Sequence, residues 1–231
     1  MKKAVCLISG GLDSSVSASI AKKNGYDLYC LTFFYGQKHD KEIFCAKKIS
    51  SFLKAKESIT LDLDFKKFTD SSLIKNSKEK IHEHDISDIG KEIPLTYVPG
   101  RNTIFLSIAL SYAETIDADA IFIGATATDY SGYPDCRPEF IDAFQKLTDV
   151  ATKKGVSGKK IKIEAPLLFK SKAEIITEGL KLKVPFENTW SCYKGEKLAC
   201  GRCDSCLLRL KGFKEAGERD PLPYDFYPDW Y

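Results

Sequence analysis

The sequence predicts an α/β protein, with a parallel five-stranded sheet that carries helices on both faces and a small C-terminal metal-binding region. Three observations predict it. Short apolar runs alternate with amphipathic stretches, polar glycine-containing clusters follow several of these runs, and four cysteines crowd between residues 192 and 206. Strands separated by helices imply right-handed crossovers, which cover a parallel sheet on both faces.

Five segments are predicted as strands because they are short, apolar and bounded by turn residues. The first follows the N-terminal lysines, and the second is rich in aromatic residues. The strands are predicted over 4–8, 29–35, 58–63, 120–124 and 160–165.

Six segments are predicted as helices. The clearest is 101–116, where apolar residues recur on one stripe at helical spacing. The first helix is expected to end before Gly25, because glycine is favoured just past a helix end. The helices are predicted over 14–24, 41–54, 101–116, 139–153, 171–181 and 204–216.

Two segments lack this periodicity. Residues 65–96 are polar and predict a long loop, which in a compact domain is usually functional or disordered. His82 and His84 lie in it, and on a charged loop they are more often solvated than bound to a metal. The tail from Asp220 is rich in proline and aromatic residues, which predicts an extended segment packed across the surface.

Composition limits the classes of function. Hydrophobic residues make up 43% of the 231 residues, enough for a substantial core. A net charge of +3 argues against a dedicated nucleic-acid binder. No N-terminal secretion signal and no bilayer-spanning apolar run stand out, so we expect a cytoplasmic protein with reduced thiols. Cys6, Cys30 and Cys45 are expected in the core.

The stretch SGGLDSS, residues 9–15, follows the first predicted strand. An ordinary glycine turn is one explanation. The stretch also suits phosphate, because glycines let backbone N–H groups approach a ligand and the next helix begins with free N–H groups. The negative carboxylate of Asp13 would repel a bare phosphate, but the two can lie side by side if Mg²⁺ is bound between them. The carboxyl end of a parallel strand is where such a ligand is expected.

This stretch lacks the Gly-Lys-Ser/Thr ending of a Walker A loop and resembles the SGGxDS loop of the N-type (PP-loop) ATP pyrophosphatases. The resemblance implies a Rossmann-like fold of the adenine nucleotide alpha-hydrolase (HUP) type and an adenylating activity. It assigns ATP binding to residues around the loop and to the end of the second strand: Ile8, Ser9, Gly10, Gly11, Leu12, Asp13, Ser14, Ser15, Val16, Ser17, Ala18 and Phe33.

Further stretches narrow the resemblance. They read TFFYGQKH from 32, VPGRNTIFLS from 98, DYSGYPDCRPEF from 129 and PLLFKSKAEI from 166. The first three resemble elements of the 7-cyano-7-deazaguanine synthase (QueC) family, although Phe34 stands where the family usually has aspartate. Lysines similar to Lys172 reach ATP phosphates elsewhere in the superfamily. From chemistry alone, three alternatives remain. Arg101 would be an ordinary surface arginine, residues 129–140 would form a structured turn, and Lys172 would be a solvated lysine in a helix capped by Ser171.

The family resemblance implies a ligase that converts 7-carboxy-7-deazaguanine, ammonia and ATP into the nitrile, through adenylated acid and amide intermediates in queuosine biosynthesis. It implies catalytic roles for Asp13, Arg101 and Lys172, with Mg²⁺ beside ATP. Free ammonia or a partner protein would supply the nitrogen. Neither nucleic acid nor a membrane is expected as a direct partner, and a homodimer is expected. The substrate residues it implies are Arg101, Asn102, Tyr130, Tyr133, Asp135 and Arg137.

The clustered cysteines Cys192, Cys200, Cys203 and Cys206 have the spacing C-x7-C-x2-C-x2-C. Four thiolates can enclose one tetrahedral zinc ion with no open position, which indicates a structural site. Spacing alone leaves an iron–sulfur cluster possible, and disulfides are disfavoured in the cytosol. The resemblance favours one structural Zn²⁺ per chain. We therefore predict a PP-loop catalytic domain over 1–185 and a zinc-binding region with the tail over 186–231.

Two rival functions share some of these features. A tRNA-thiolating enzyme would keep the ATP loop and would require a broad basic surface, against which the small net charge argues. A non-catalytic zinc-binding nucleic-acid module would not need SGGLDSS, and failure to bind ATP would favour it.

Overall fold

The computed structural model describes residues 1–37, 41–67, 69, 71–74, 77, 86, 89, 93–127, 133–194 and 197–231. Within them, a five-stranded sheet has the order β3-β2-β1-β4-β5, and each neighbouring pair is parallel. The predicted fold class is confirmed. The strands are β1 Lys3–Leu7, β2 Asp27–Phe34, β3 Glu57–Asp62, β4 Ala120–Phe122 and β5 Lys162–Glu164.

Helices connect the strands as predicted. Those described are α1 Leu12–Lys23, α2 Lys41–Phe52, α3 Arg101–Thr115, α4 Pro138–Ala151, α5 Lys153–Val156, α6 Lys172–Lys181 and α7 Asp204–Glu215. The predicted helix 139–153 ends early, because Thr152 adopts an extended conformation. Its hydroxyl accepts a hydrogen bond from the Gly155 amide, which begins the short α5.

The central strand β1 is apolar because both of its faces are covered. Ala4 and Val5 are fully buried and face opposite sides of the sheet. On one side Val5 packs in a cluster with Leu106 of α3, and on the other Ala4 packs in a cluster with Ile49 of α2. Burial on both faces explains why the sequence of β1 is a continuous apolar run.

Cys6, Cys30 and Cys45 are buried, as expected of small core residues. Burial raises the pKa of the Cys30 thiol to about 11, which keeps the thiol protonated and inert. No helix in the described part of the chain combines the length and apolar character that a bilayer-spanning segment needs.

The C-terminal region packs against the first half of the chain. Phe213 of α7 shares an apolar cluster with Val16 of α1 and Ile176 of α6. The tail is extended and partly buried, and Tyr224 forms a parallel bridge with Ala199. The tail therefore packs as predicted, while the boundary at residue 185 stays a prediction.

Candidate nucleotide-binding site and metal centre

The loop between β1 and α1 is fixed by close backbone contacts. Gly10 has φ +83°, and a Cβ placed there would lie 2.1 Å from the carbonyl oxygen of Glu42 in α2. The Ser9 amide donates to the Ser14 hydroxyl at 3.2 Å, and the Ser15 hydroxyl donates to the Gly11 carbonyl at 2.7 Å. The conformation therefore requires glycine at position 10 and leaves the start of α1 accessible to an anion.

A cavity of about 290 Å³ lies beside this loop, where β1, β2 and β4 end. Many of the residues predicted to bind ATP or substrate line this cavity. Five residues predicted to bind ATP are not among its described lining residues: Gly10, Ser15, Val16, Ser17 and Ala18. Ser17 instead donates to the carbonyl of Ile123 at 3.2 Å, and Val16 is fully buried. The predicted residues that line it are Ile8, Ser9, Gly11, Leu12, Asp13, Ser14, Phe33, Arg101, Asn102, Tyr133 and Lys172.

Lys172 reaches the loop from α6. Its Nζ lies 2.8 Å from Asp13 Oδ1, and the lysine side chain is 13% exposed. Ser171 caps the same helix, because its hydroxyl accepts from the Glu174 amide while the Glu174 carboxylate accepts from the Ser171 amide. The capping by Ser171 and the placement of Lys172 beside the loop therefore occur together, while its contact with ATP stays a prediction.

Arg101 lies on the opposite wall, at the start of α3. Its Nη1 donates to the Tyr35 hydroxyl at 3.4 Å. Burial disfavours the guanidinium charge, but Tyr35, Tyr133, Cys136 and Asp135 together outweigh burial and keep the pKa of Arg101 above its ordinary value. Phe33 and Phe105 stack with their ring centroids 4.1 Å apart, which gives the cavity an aromatic floor.

Asn102 and Asp135 bind each other. The Asn102 amide N–H donates to Asp135 Oδ2 at 3.0 Å, and Asn102 Nδ2 donates to the Asp135 carbonyl at 2.9 Å. Asp135 thereby satisfies an N–H at the start of α3 and ties that helix to the segment before α4. Both side chains are buried, so this pair shapes the wall beside Arg101.

The remaining predicted substrate residues have different placements. Tyr133 lines the cavity, and its hydroxyl lies 2.8 Å from Thr96 Oγ1. Arg137 is exposed at the N-cap of α4 and is not among the described lining residues. Tyr130, His82 and His84 lie outside the described residues. The substrate roles of Tyr130 and Arg137, like those of the other four predicted substrate residues, stay predictions.

Glu42, in the first turn of α2, also lines the cavity, and sequence reasoning did not single it out. Burial raises the pKa of its carboxyl to about 7, although the charge of Arg101 opposes the shift. The signal that could have found it is its position in the first turn after the second strand, at the same sheet edge as SGGLDSS.

Trp190 links the loop to the cysteine cluster. Its backbone N–H donates to the Gly10 carbonyl at 2.8 Å, and its indole Nε1 donates to the Cys192 carbonyl at 3.0 Å. Lys41 Nζ lies 3.1 Å from the centroid of the indole ring. The C-terminal region therefore holds one of the two glycines of the loop through its backbone.

The cysteine cluster is compact and buried. The sulfurs of Cys192, Cys200, Cys203 and Cys206 all lie within 4.8 Å of one another. Those of Cys200 and Cys206 are 3.9 Å apart, far too long for a disulfide. Tetrahedral zinc with bonds of about 2.3 Å separates its sulfurs by about 3.8 Å, so the cluster fits one such ion. A multi-iron cluster would push the sulfurs farther apart, because its own atoms lie between them.

The fold and the site together define the class of this protein: a parallel α/β protein with a glycine-rich loop of the PP-loop type beside a cavity at the carboxyl edge of its sheet. The family model described as "Queuosine biosynthesis protein QueC" matches residues 3–217. The chain belongs to that family.

Curated relatives match over nearly the whole chain. A 7-cyano-7-deazaguanine synthase of Picrophilus torridus is 50% identical over 231 residues, covering 100% of this chain and 95% of its own length. One of Coxiella burnetii is 54% identical over 228 residues, covering 97% and 98%. A solved NMN synthetase from Francisella tularensis is 17% identical, with a TM-score of 0.48 over 94% of this chain and 78% of that one. This last likeness is too distant to bear on function.

Proposed function

We propose that this protein is a 7-cyano-7-deazaguanine synthase, which converts 7-carboxy-7-deazaguanine, ammonia and ATP into the nitrile. The observation that carries the proposal is the full-length similarity, at about half of all positions, to relatives with that name. The cavity supports it, because the glycine loop and the predicted substrate wall at Arg101 and Asn102 line the same space. Neither rival function receives comparable support.

The chemistry begins with a carboxylate oxygen that leaves poorly. Attack of this oxygen on the α-phosphate of ATP gives an acyl adenylate and pyrophosphate, and AMP is then a good leaving group. Ammonia displaces AMP to give the amide. A second adenylation, on the amide oxygen, releases a second pyrophosphate, and departure of AMP with loss of the two N–H protons yields the nitrile. Each activation consumes one ATP.

The residues of the cavity have separate parts in this scheme. Backbone N–H groups of the SGGLDSS loop and Lys172 bind the phosphates, and Arg101 stabilises negative charge that develops at the acyl group. Mg²⁺, when bound, would be held by Asp13 and would neutralise phosphate charge. The stacked rings of Phe33 and Phe105 offer a flat surface to an aromatic base.

The metal of the cysteine cluster is proposed to be zinc, one ion per chain and purely structural. The four buried soft donors leave no open coordination position for water or substrate. Metal analysis of purified protein is expected to find one zinc per chain. We further propose a cytoplasmic homodimer that takes up free ammonia or receives it from a partner.

The test is mass spectrometry of a reaction that contains purified protein, 7-carboxy-7-deazaguanine, ammonium, ATP and Mg²⁺. The expected products are the nitrile, AMP and pyrophosphate. ATP turnover without the nitrile would contradict the substrate assignment. An absence of turnover from folded, zinc-containing protein would contradict the enzymatic assignment.

A further inference from the structure

The proposed reaction needs a base at the carbon that ammonia attacks. When nitrogen bonds to the acyl carbon it becomes positively charged, and one of its protons must leave. A side chain that binds ammonia beside the adenylate and accepts this proton would serve both needs. Such a side chain must line the cavity and must not be held by another charged group.

Most titratable groups of the cavity are already engaged. Asp13 pairs with Lys172 at 2.8 Å. Burial raises the pKa of the Cys136 thiol to about 11, too high for a base at neutral pH. Burial likewise raises the pKa of Tyr35. None of the chain's histidines lies within the described residues.

Glu42 remains. Of the described residues, two carboxylates line the cavity, those of Asp13 and Glu42. No basic side chain of the described residues comes within ion-pair distance of it, in contrast to Asp13. Arg101 acts on it only at longer range, where it helps to keep the carboxyl ionised.

The backbone places Glu42 beside the phosphates. The first turn of α2 packs on the glycine loop so closely that a Cβ on Gly10 would lie 2.1 Å from the Glu42 carbonyl oxygen. The side chain therefore emerges next to the loop that is proposed to hold ATP. Arg101 lines the other wall, so a substrate carboxyl held between them would have Glu42 within reach.

We propose that Glu42 binds the ammonia nucleophile and accepts a proton from it during amide formation. The nitrogen lone pair forms the C–N bond, and the C–O bond to AMP breaks with its electron pair moving to the phosphate oxygen. One N–H proton passes to the Glu42 carboxylate and then to solvent. The inference rests on the proposed function, and its test separates the two.

The test compares the wild type with Glu42→Gln, Glu42→Asp and Glu215→Gln, an exposed glutamate at the end of α7 that serves as control. Exchange of labelled pyrophosphate into ATP, dependent on 7-carboxy-7-deazaguanine and without ammonium, measures the first adenylation alone. We expect this exchange to persist in Glu42→Gln. We expect kcat/KM for ammonium to fall by about 10²-fold or more, the usual contribution of a general base, with Glu42→Asp intermediate and Glu215→Gln unchanged.

Two further substrates sharpen the result. Hydroxylamine is uncharged at neutral pH and a stronger nucleophile, so it should partly rescue Glu42→Gln. The amide intermediate already carries its nitrogen, so pyrophosphate exchange supported by the amide, which reports the second adenylation alone, should persist in Glu42→Gln. Loss of pyrophosphate exchange in this variant, or an unchanged kcat/KM for ammonium, would overturn the assignment of Glu42. Failure of the wild type itself to perform the exchange would instead contradict the proposed function.

Discussion

The Asp13 carboxylate and the Lys172 ammonium lie 2.8 Å apart on one wall of the cavity. Each compensates the charge of the other while neither is completely buried. ATP phosphates would compete with Asp13 for the lysine, and Mg²⁺ would compete with the lysine for Asp13. If the proposed function holds, this pair would keep Asp13 and Lys172 close to the positions in which they bind Mg²⁺ and phosphate.

Replacing Lys172 by Ala should weaken ATP binding roughly 10- to 100-fold, because a charged hydrogen bond contributes about 1.5–3 kcal/mol. Titration calorimetry with Mg²⁺ and ATP measures this. Lys181→Ala, an exposed lysine at the end of the same helix, is the control and should bind ATP normally. Equal affinities in both variants would show that Lys172 does not contact the nucleotide.

The substitution Gly10→Ala tests the conformation of the loop. An alanine there combines a φ of +83° with a Cβ only 2.1 Å from a backbone oxygen, so we expect lost ATP binding and a lower Tm. Gly25→Ala is the matched control, since Gly25 has φ +81° but nothing within 4 Å of the added atom. The control should lose about 1–2 kcal/mol of stability and keep ATP binding. Similar ATP binding in both variants would contradict the close contact.

Helix α7 is anchored by a buried ion pair. Arg209 Nε and Nη2 donate to the two carboxylate oxygens of Asp220 at 2.6 and 2.9 Å. Arg209 also donates to the Thr189 hydroxyl at 2.8 Å, and the Tyr224 hydroxyl donates to Asp220 at 2.7 Å. One arginine thus connects the last helix, the segment before the cysteines and the tail.

Asp220→Asn should destabilise the protein by about 3–5 kcal/mol, because it leaves a buried guanidinium without its counter-charge. Asp225→Asn is the control, since its contact with Arg202 is long, at 3.8 Å, and exposed. Urea denaturation measures both free energies of unfolding. A loss below 1 kcal/mol in Asp220→Asn would contradict the account of this anchor.

The elements were predictable where a local pattern determines them. The amphipathic stripe of α3 and the apolar run of β1 place these elements without knowledge of their partners. The end of α4 was not predictable, because Thr152 leaves the helix to cap α5 with its own hydroxyl. The pairing of Arg209 with Asp220 depends on how the tail folds back, which no local pattern records.

The cysteine cluster and the SGGLDSS loop are joined in one structure across the two ends of the chain. Trp190 donates its backbone N–H to the Gly10 carbonyl and its indole N–H to the Cys192 carbonyl. Trp190 therefore connects the cysteine cluster directly to the loop. The spacing of the cysteines predicted the cluster. Trp190 belongs to no motif, so its place in the site emerges only from the tertiary structure, whereas the position of Glu42 after the second strand could have indicated it.

Metal removal should weaken ATP binding even though no cysteine of the cluster is among the described residues that line the cavity. The expected result is a change in Trp190 fluorescence and a loss of ATP affinity on chelation, both reversed by zinc. The experiment uses Trp230→Phe protein so that only Trp190 reports. Full ATP affinity in metal-free protein would show that the loop is held independently of the cluster.

On the proposed function, one cavity brings the SGGLDSS loop with ATP and the substrate carboxyl together for adenylation. The most direct measurement uses 7-carboxy-7-deazaguanine whose carboxylate carries heavy oxygen, with ATP, Mg²⁺ and ammonium. If the carboxylate attacks the α-phosphate, mass spectrometry will find heavy oxygen in the AMP that is released. Nitrile formation with unlabelled AMP, or with ADP and phosphate as the products, would contradict the account.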